Sequence, residues 1–184
     1  GLMNKRILLF ITILMSVMTV WWLRSFFLPE NLSRRLVSGN VSDYELSYAK
    51  ATKLPAYYLY QRSGQVVGSA LWLQATRALA ESQAQYAIEL AHYFQQQNNL
   101  PRAKFWLTHA LTLNSEQAVW LLANIEYREK NYPAAAELLA DLIAKQSAKY
   151  YEKSLLLLIE IRLIQGKLTK VSALSAKLEV FNPE

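Results

Sequence analysis

The chain has 184 residues, is 53% hydrophobic, and contains five Gly, five Pro and no Cys. That length suits one anchor and one domain of roughly 100 to 150 residues, and so few Gly and Pro argue against an all-β or loop-rich protein. Without Cys there can be no disulfide, thiolate metal site or Cys nucleophile. The net charge of +6 is uneven: residues 1–39 hold Lys5, Arg6, Arg24, Arg34 and Arg35 against Glu30, a net of +4, and residues 40–184 hold 15 bases and 13 acids, a net of +2. The excess sits beside a hydrophobic segment, where it would meet anionic headgroups. No basic stripe of the kind a nucleic-acid reader carries stands out in the remainder.

Met3 reads as the natural start, and Ile7 to Leu23 contains no charged residue. Seventeen residues at about 1.5 Å each span roughly 26 Å, near the lower limit for crossing a bilayer. Ser25-Phe26-Phe27-Leu28 extends the apolar length if Arg24 snorkels, and Pro29 stops the helix. Trp21 and Trp22 stand where interfacial aromatics are expected, so Lys5, Arg6, Trp21, Trp22 and Arg24 flank the anchor. A cleaved signal peptide would need small residues after the apolar core, and Trp, Leu, Arg and Phe stand there instead. The expectation is a retained single-pass anchor, residues 1–28, in the inner (cell) membrane. Positive charge is nearly balanced across it. The very short basic leader favours a signal-anchor with the rest of the chain extracytoplasmic, or periplasmic.

Residues 29–41 read as a juxtamembrane linker or short interfacial turn, broken by Ser33, Ser38, Gly39 and Asn40. Ser42-Asp43-Tyr44-Glu45 has the form of a capping box and opens a helix, which Pro55 ends near Thr52 to Leu54. From residue 87 to 143 a helical hairpin is written twice. Ala91, Leu100, Pro101, Ala103, Leu107, Ala110 and Leu111 each precede by 32 residues Ala123, Tyr132, Pro133, Ala135, Leu139, Leu142 and Ile143. A period near this value marks a stacked helix-turn-helix array, and the matched Asn-Leu-Pro-x-Ala and Asn-Tyr-Pro-x-Ala turns place Pro at a first helical position.

This stretch resembles a tetratricopeptide repeat, with a small residue midway along helix A, an aromatic or Leu opening helix B, and Ala three residues on. The match is good over 85–117 and 118–148. It is degenerate over 51–84, where Tyr57 replaces the small residue, and over 150–181, where Ile159 does. Gly64 and Gly166 fit inter-helix turns that need positive φ. The resemblance implies an α-solenoid of about four hairpins over residues 42–184, which with the anchor before it makes an all-α protein: a transmembrane helix, then the solenoid.

In that family the inner faces of successive A helices line a groove for peptides. Carried over by register, the groove residues here are Tyr58, Gln61, Arg62, His92, Gln95, Gln96, Trp120, Asn124, Tyr127, Arg128 and Glu160. Only Asn124 and Arg128 match part of the carboxylate clamp that some members carry. Trp72, Trp106 and the Tyr57-Tyr58-Tyr60 cluster read as packing between repeats. Leu174, Leu178, Val180 and Phe181, on a final helix from Lys170 to Val180, could present an apolar edge, because repeat arrays need a polar cap.

Chemistry has little to rest on. His92 and His109 lie on different helices, and Glu89-x-x-His92 lacks the second imidazole of a zinc motif. No nucleophile elbow or phosphate loop is present, and Glu160 is the nearest thing to an isolated acid. The expectation is no enzyme, no metal, no cofactor, no small-molecule substrate and no nucleic acid. The partners would be a bilayer and one or more proteins, held as a scaffold or assembly subunit of a multiprotein envelope complex of secretion, pilus or cytochrome-assembly type. The alternative is a purely structural subunit, packed through its transmembrane helix and C-terminal edge.

Overall fold

A computed structural model describes residues 7, 11–19, 29–38 and 41–181. Among these every regular element is a helix. Residues 11–19 are helical (α1), and no helix among the described residues is long and apolar enough to cross a membrane. Most of the expected anchor lies outside them, including its flanks Lys5, Arg6, Trp21, Trp22 and Arg24. On α1, Ile11, Ile13, Leu14, Met15, Val17 and Met18 are all exposed. The Ser16 and Thr19 hydroxyls donate to the carbonyls of Thr12 and Met15, each at 2.8 Å.

The chain forms two compact units, residues 1–78 and 79–184. In the first, α2 (Pro29–Val37) packs on α3 (Asp43–Ala51) and α4 (Pro55–Arg62). The stretch read as a linker is therefore largely helix, and the reason is its apolar spacing. Leu32 and Leu36, one turn apart, are fully buried with Ala49 and Ala56, under Val41, Leu46, Leu54 and Tyr57. That burial outweighs the weak helix preference of Ser33. Gly64, at φ +73°, turns the chain between α4 and α5 (Ala70–Ala80) as expected.

The capping box forms as the sequence predicts. The Ser42 N–H donates to Glu45 Oε2 at 2.9 Å, the Glu45 N–H donates to Ser42 Oγ at 3.4 Å, and Arg35 pairs with the buried Glu45 carboxylate. The backbone hydrogen bond from Ser42 is the main reason the Glu45 carboxyl titrates below the usual range; the Ser42 hydroxyl and Arg35 add to it, against burial. A depressed carboxylate stabilises the fold above its unfolded pKa, and the benefit is lost as pH falls through its folded value. Ser42→Ala is thus expected to cost about 1 kcal/mol near neutrality. Its difference from the parent should shrink in acid melts below about pH 4.

The second unit is more regular than the 32-residue period alone implies. The helices α6 (Ala84–Gln96), α7 (Leu100–Thr112), α8 (Glu116–Arg128) and α9 (Tyr132–Ala144) each have 13 residues and begin 16 residues apart. Each ends on a left-handed residue: Asn98, Asn114, Lys130 and Gln146, with φ between +50° and +62°. The next N–H then closes the turn onto a carbonyl five residues back: Asn99 to Phe94, Ser115 to Ala110, Asn131 to Glu126 and Ser147 to Leu142, at 2.8 to 3.2 Å. Asn tolerates this conformation, whereas Lys130 and Gln146 hold it at a cost of about 1 kcal/mol. Gln146→Gly is accordingly expected to raise stability by up to about 1 kcal/mol, read as a higher melting temperature.

The rhythm then lengthens: α10 (Tyr151–Ile164) and α11 (Leu168–Phe181) follow, joined through Gly166 at φ +68° as expected. Each helix from α6 to α11 packs on the next, a helical repeat-like array. The small positions Ala91, Ala103, Ala123 and Ala135 are all buried, which lets paired helices approach closely. Ala135, Ala136, Leu139 and Ile143 of α9 meet Leu155, Leu158 and Ile161 of α10 in a shared core.

Candidate functional site

The expected groove residues separate into distinct environments. Tyr58, Gln61 and Arg62 are half-buried on α4, in the N-terminal unit. The Tyr58 ring meets Tyr57 edge-on at 5.4 Å, and the Arg62 guanidinium lies 5.2 Å from the centre of the buried Trp72 ring. These are packing contacts of that unit.

In the C-terminal unit, Trp120 departs from the register's expectation. Its ring stacks on the buried Tyr150 at 5.9 Å and 24°, packed on the cluster that Tyr150 forms with Val119 and Leu142. The partner ring comes from the turn before α10, which the repeat register does not anticipate. Asn124 donates one N–H of its side-chain amide to the Trp120 carbonyl of its own helix at 2.7 Å. His92 is exposed on α6. His109 is half-buried, with Nε2 3.0 Å from the Ala80 carbonyl and its ring edge-on to Trp106. Among the described residues no cluster of His, Asp or Glu could hold a metal.

Two groups of expected residues do come together. Tyr127 on α8 donates to Glu160 Oε1 on α10 at 2.5 Å, across 33 residues of sequence, with Tyr132 tilted against it at 5.8 Å. The hydrogen bond to Glu160, helped by burial and the carboxylate's charge, raises the Tyr127 pKa. Glu160→Gln is expected to return that phenol towards its ordinary range, visible as an earlier onset of tyrosinate absorbance on titration.

The second grouping is a cleft of about 600 Å³ between the C-terminal ends of α6 and α8, lined by Gln95, Gln96, Asn98, Leu100, Ile125, Arg128 and Glu129. It exists because α6 and α8 are equivalent helices, so Gln96 and Arg128, 32 residues apart, face the same opening. Leu100 and the buried Ile125 give it an apolar floor. Three amide side chains and the exposed Arg128 form its rim, and Arg128 makes no ion pair among the described residues. Such a surface can hydrogen-bond an extended backbone through the amides and accept an acidic group at the guanidinium.

Beside the cleft lies a charged cluster that the sequence reading missed. Lys104 on α7 reaches Glu126 Oε1 at 2.7 Å and also pairs with Glu129, and Asn131 donates to Glu126 Oε2 at 2.7 Å. Burial works against the Lys104 charge, but hydrogen bonds and attraction from Glu126 and then Glu129 outweigh it and raise its pKa. Glu126 is buried at the register position held by Phe94, Ala110 and Leu142 in the sister helices. That polar exception at a 16-residue spacing was the signal available in the sequence. A similar tie joins Ser147, whose hydroxyl donates to Glu116 at 2.6 Å.

The chain matches no protein-family model, no curated protein and no solved structure.

Proposed function

We propose that the protein is a membrane-anchored docking subunit that holds another protein at the bilayer through a tetratricopeptide-like array. The cleft between α6 and α8 carries this reading, because it gathers Gln95, Gln96 and Arg128, three of the residues named from register alone, around an apolar floor. A rigid, preformed cleft lowers the ordering cost of an incoming peptide, and an anchor raises local concentration. The anchor is supported by the uncharged run Ile7 to Leu23, by the exposed apolar side chains of α1, and by Ser16 and Thr19 hydroxyls turned back onto their own helix, as a lipid environment requires. The repeats lie on the extracytoplasmic side, and the client belongs to an envelope assembly of the secretion, pilus or cytochrome-maturation type.

A photo-crosslinker at Gln96 in intact cells tests this. A discrete adduct that disappears with Arg128→Glu, and is absent from a probe at exposed Glu137 on α9, is the expected result. Equal adducts at both positions, or none, would count against the cleft.

The structural alternative has its own support. A groove of about 690 Å³ opens along α9, α10 and α11, lined by Ile143, Leu158, Leu174 and Val180 among others, and Leu168, Val180 and Phe181 are exposed beside it. Leu174, which lines the groove, and Leu178 are each partly buried against the neighbouring core. Val180→Lys should disrupt assembly under this alternative and leave it intact under the docking reading.

A further inference from the structure

We infer that the outward face of α3 rests against an anionic bilayer surface, so that the N-terminal unit meets the membrane through its folded part as well as through an anchor. This rests on the anchor reading above. The division of the chain sharpens the charge distribution. Residues 1–78 contain nine bases and three acids, and residues 79–184 contain eleven of each, so the whole net charge of +6 belongs to the N-terminal unit.

Within that unit, α3 buries Glu45 and Ala49 and leaves Tyr44, Ser47, Tyr48, Lys50 and Ala51 exposed. Tyr44 is 69% exposed and Tyr48 39%, a large aromatic surface to leave in water on a nine-residue helix. Tyrosine phenols favour the headgroup layer, where the ring is shielded and the hydroxyl stays wet, and lysine ammonium groups favour anionic lipid phosphates. Lys50 and the exposed Lys53 close the C-terminal end of this face, with the acid Asp43 at the other end. Two tyrosines followed by two lysines, about twenty residues beyond an uncharged seventeen-residue run, complement a lipid surface. An acidic protein would be served by the lysines alone, whereas exposed phenols beside them add an affinity for the headgroup layer.

The test uses the full, Cys-free chain, reconstituted in vesicles of phosphatidylcholine alone or mixed equally with phosphatidylglycerol. An environment-sensitive fluorophore is attached at Ser47→Cys, or at Ser82→Cys in the exposed turn after α5 as a control. The expected result is that the probe at position 47 shifts to the blue and is shielded from an aqueous quencher in the anionic vesicles only. High salt and the double variant Lys50→Glu with Lys53→Glu should abolish the shielding, while the probe at position 82 stays unchanged. Flotation of the chain with both vesicle types, but equal exposure at position 47, overturns the inference and leaves the anchor standing; it is the outcome for a face reserved for an acidic protein. Failure to float with either type overturns the anchor reading and the inference together.

Discussion

Lys104→Ala is expected to destabilise the C-terminal unit by about 2–4 kcal/mol, whereas Glu126→Leu, at the other end of the same ion pair, should leave stability nearly unchanged. The asymmetry follows from what each variant leaves behind. Without Lys104, the Glu126 carboxylate stays buried with only the Asn131 amide to compensate it, and an uncompensated buried charge costs about 3–5 kcal/mol. Lys104 is 29% exposed, so solvent softens the loss to somewhat below that range. With Leu at 126, the position acquires the residue type that Leu142 provides 16 residues later. Lys104 then retains Glu129, and the Asn131 amide can turn to water. Replacing a buried charge by a well-packed apolar group is often neutral or stabilising.

The pH dependence carries the same logic. Because the Lys104 pKa is raised in the folded state, its stabilising contribution is complete below the unfolded lysine value, about 10.4, and is lost as pH rises through the folded value. The gap between parent and Lys104→Ala should hold constant through neutrality and close only in strong alkali. Urea denaturation of the two variants decides the matter: a loss below about 0.5 kcal/mol for Lys104→Ala would mean that the pair behaves as an ordinary surface contact.

The hairpins were legible because their signals are local. Proline in the first turn, Ala at 91 and 123, and Gly at 64 and 166 act through nearby backbone and neighbouring side chains, and the helices follow them closely. The finer 16-residue rhythm escaped notice because α6 and α8 meet different neighbours from α7 and α9, so equivalent turns carry unlike residues: Asn98, Asn114, Lys130 and Gln146. Gln95, Gln96 and Arg128 were found by register because the cleft lies between equivalent helix ends. Asn98, Leu100 and Glu129 were not, because Asn98 and Glu129 belong to the turns at those ends and Leu100 opens the intervening helix α7, outside the inner faces of the A helices. Trp120 shows the limit of register. Its orientation depends on Tyr150, and that ring is placed by the longer turn before α10, where Ser147 bonds to Glu116 and caps the Tyr150 N–H at 3.3 Å. The helix at α2 was hidden for another reason: two buried leucines one turn apart suffice once α4 is present to cover them, and no local pattern announces the cover.

Leu139→Ala should be among the most damaging single changes in the C-terminal unit. Leu139 is fully buried at the centre of the core shared by α8, α9 and α10, beside Ala123, Ala135 and Ala136. Those alanines bring the helices so close that their backbones have little room to collapse into a void, so the cavity term should be retained. A loss of about 3–4 kcal/mol is expected from the removed methylenes and the cavity together. The consequence should reach beyond the midpoint. In an array where each helix packs on its sequence neighbours, cooperativity passes through successive interfaces, and this residue lies in the interface that couples α10 and α11 to the rest. Leu139→Ala should therefore lower the dependence of stability on urea as well as the midpoint, and amides of α10 and α11 should exchange hydrogen ahead of those in α6 and α7. If the midpoint falls while the slope and the exchange order match the parent, the C-terminal unit melts as one body and its interfaces are more strongly coupled than nearest-neighbour packing implies.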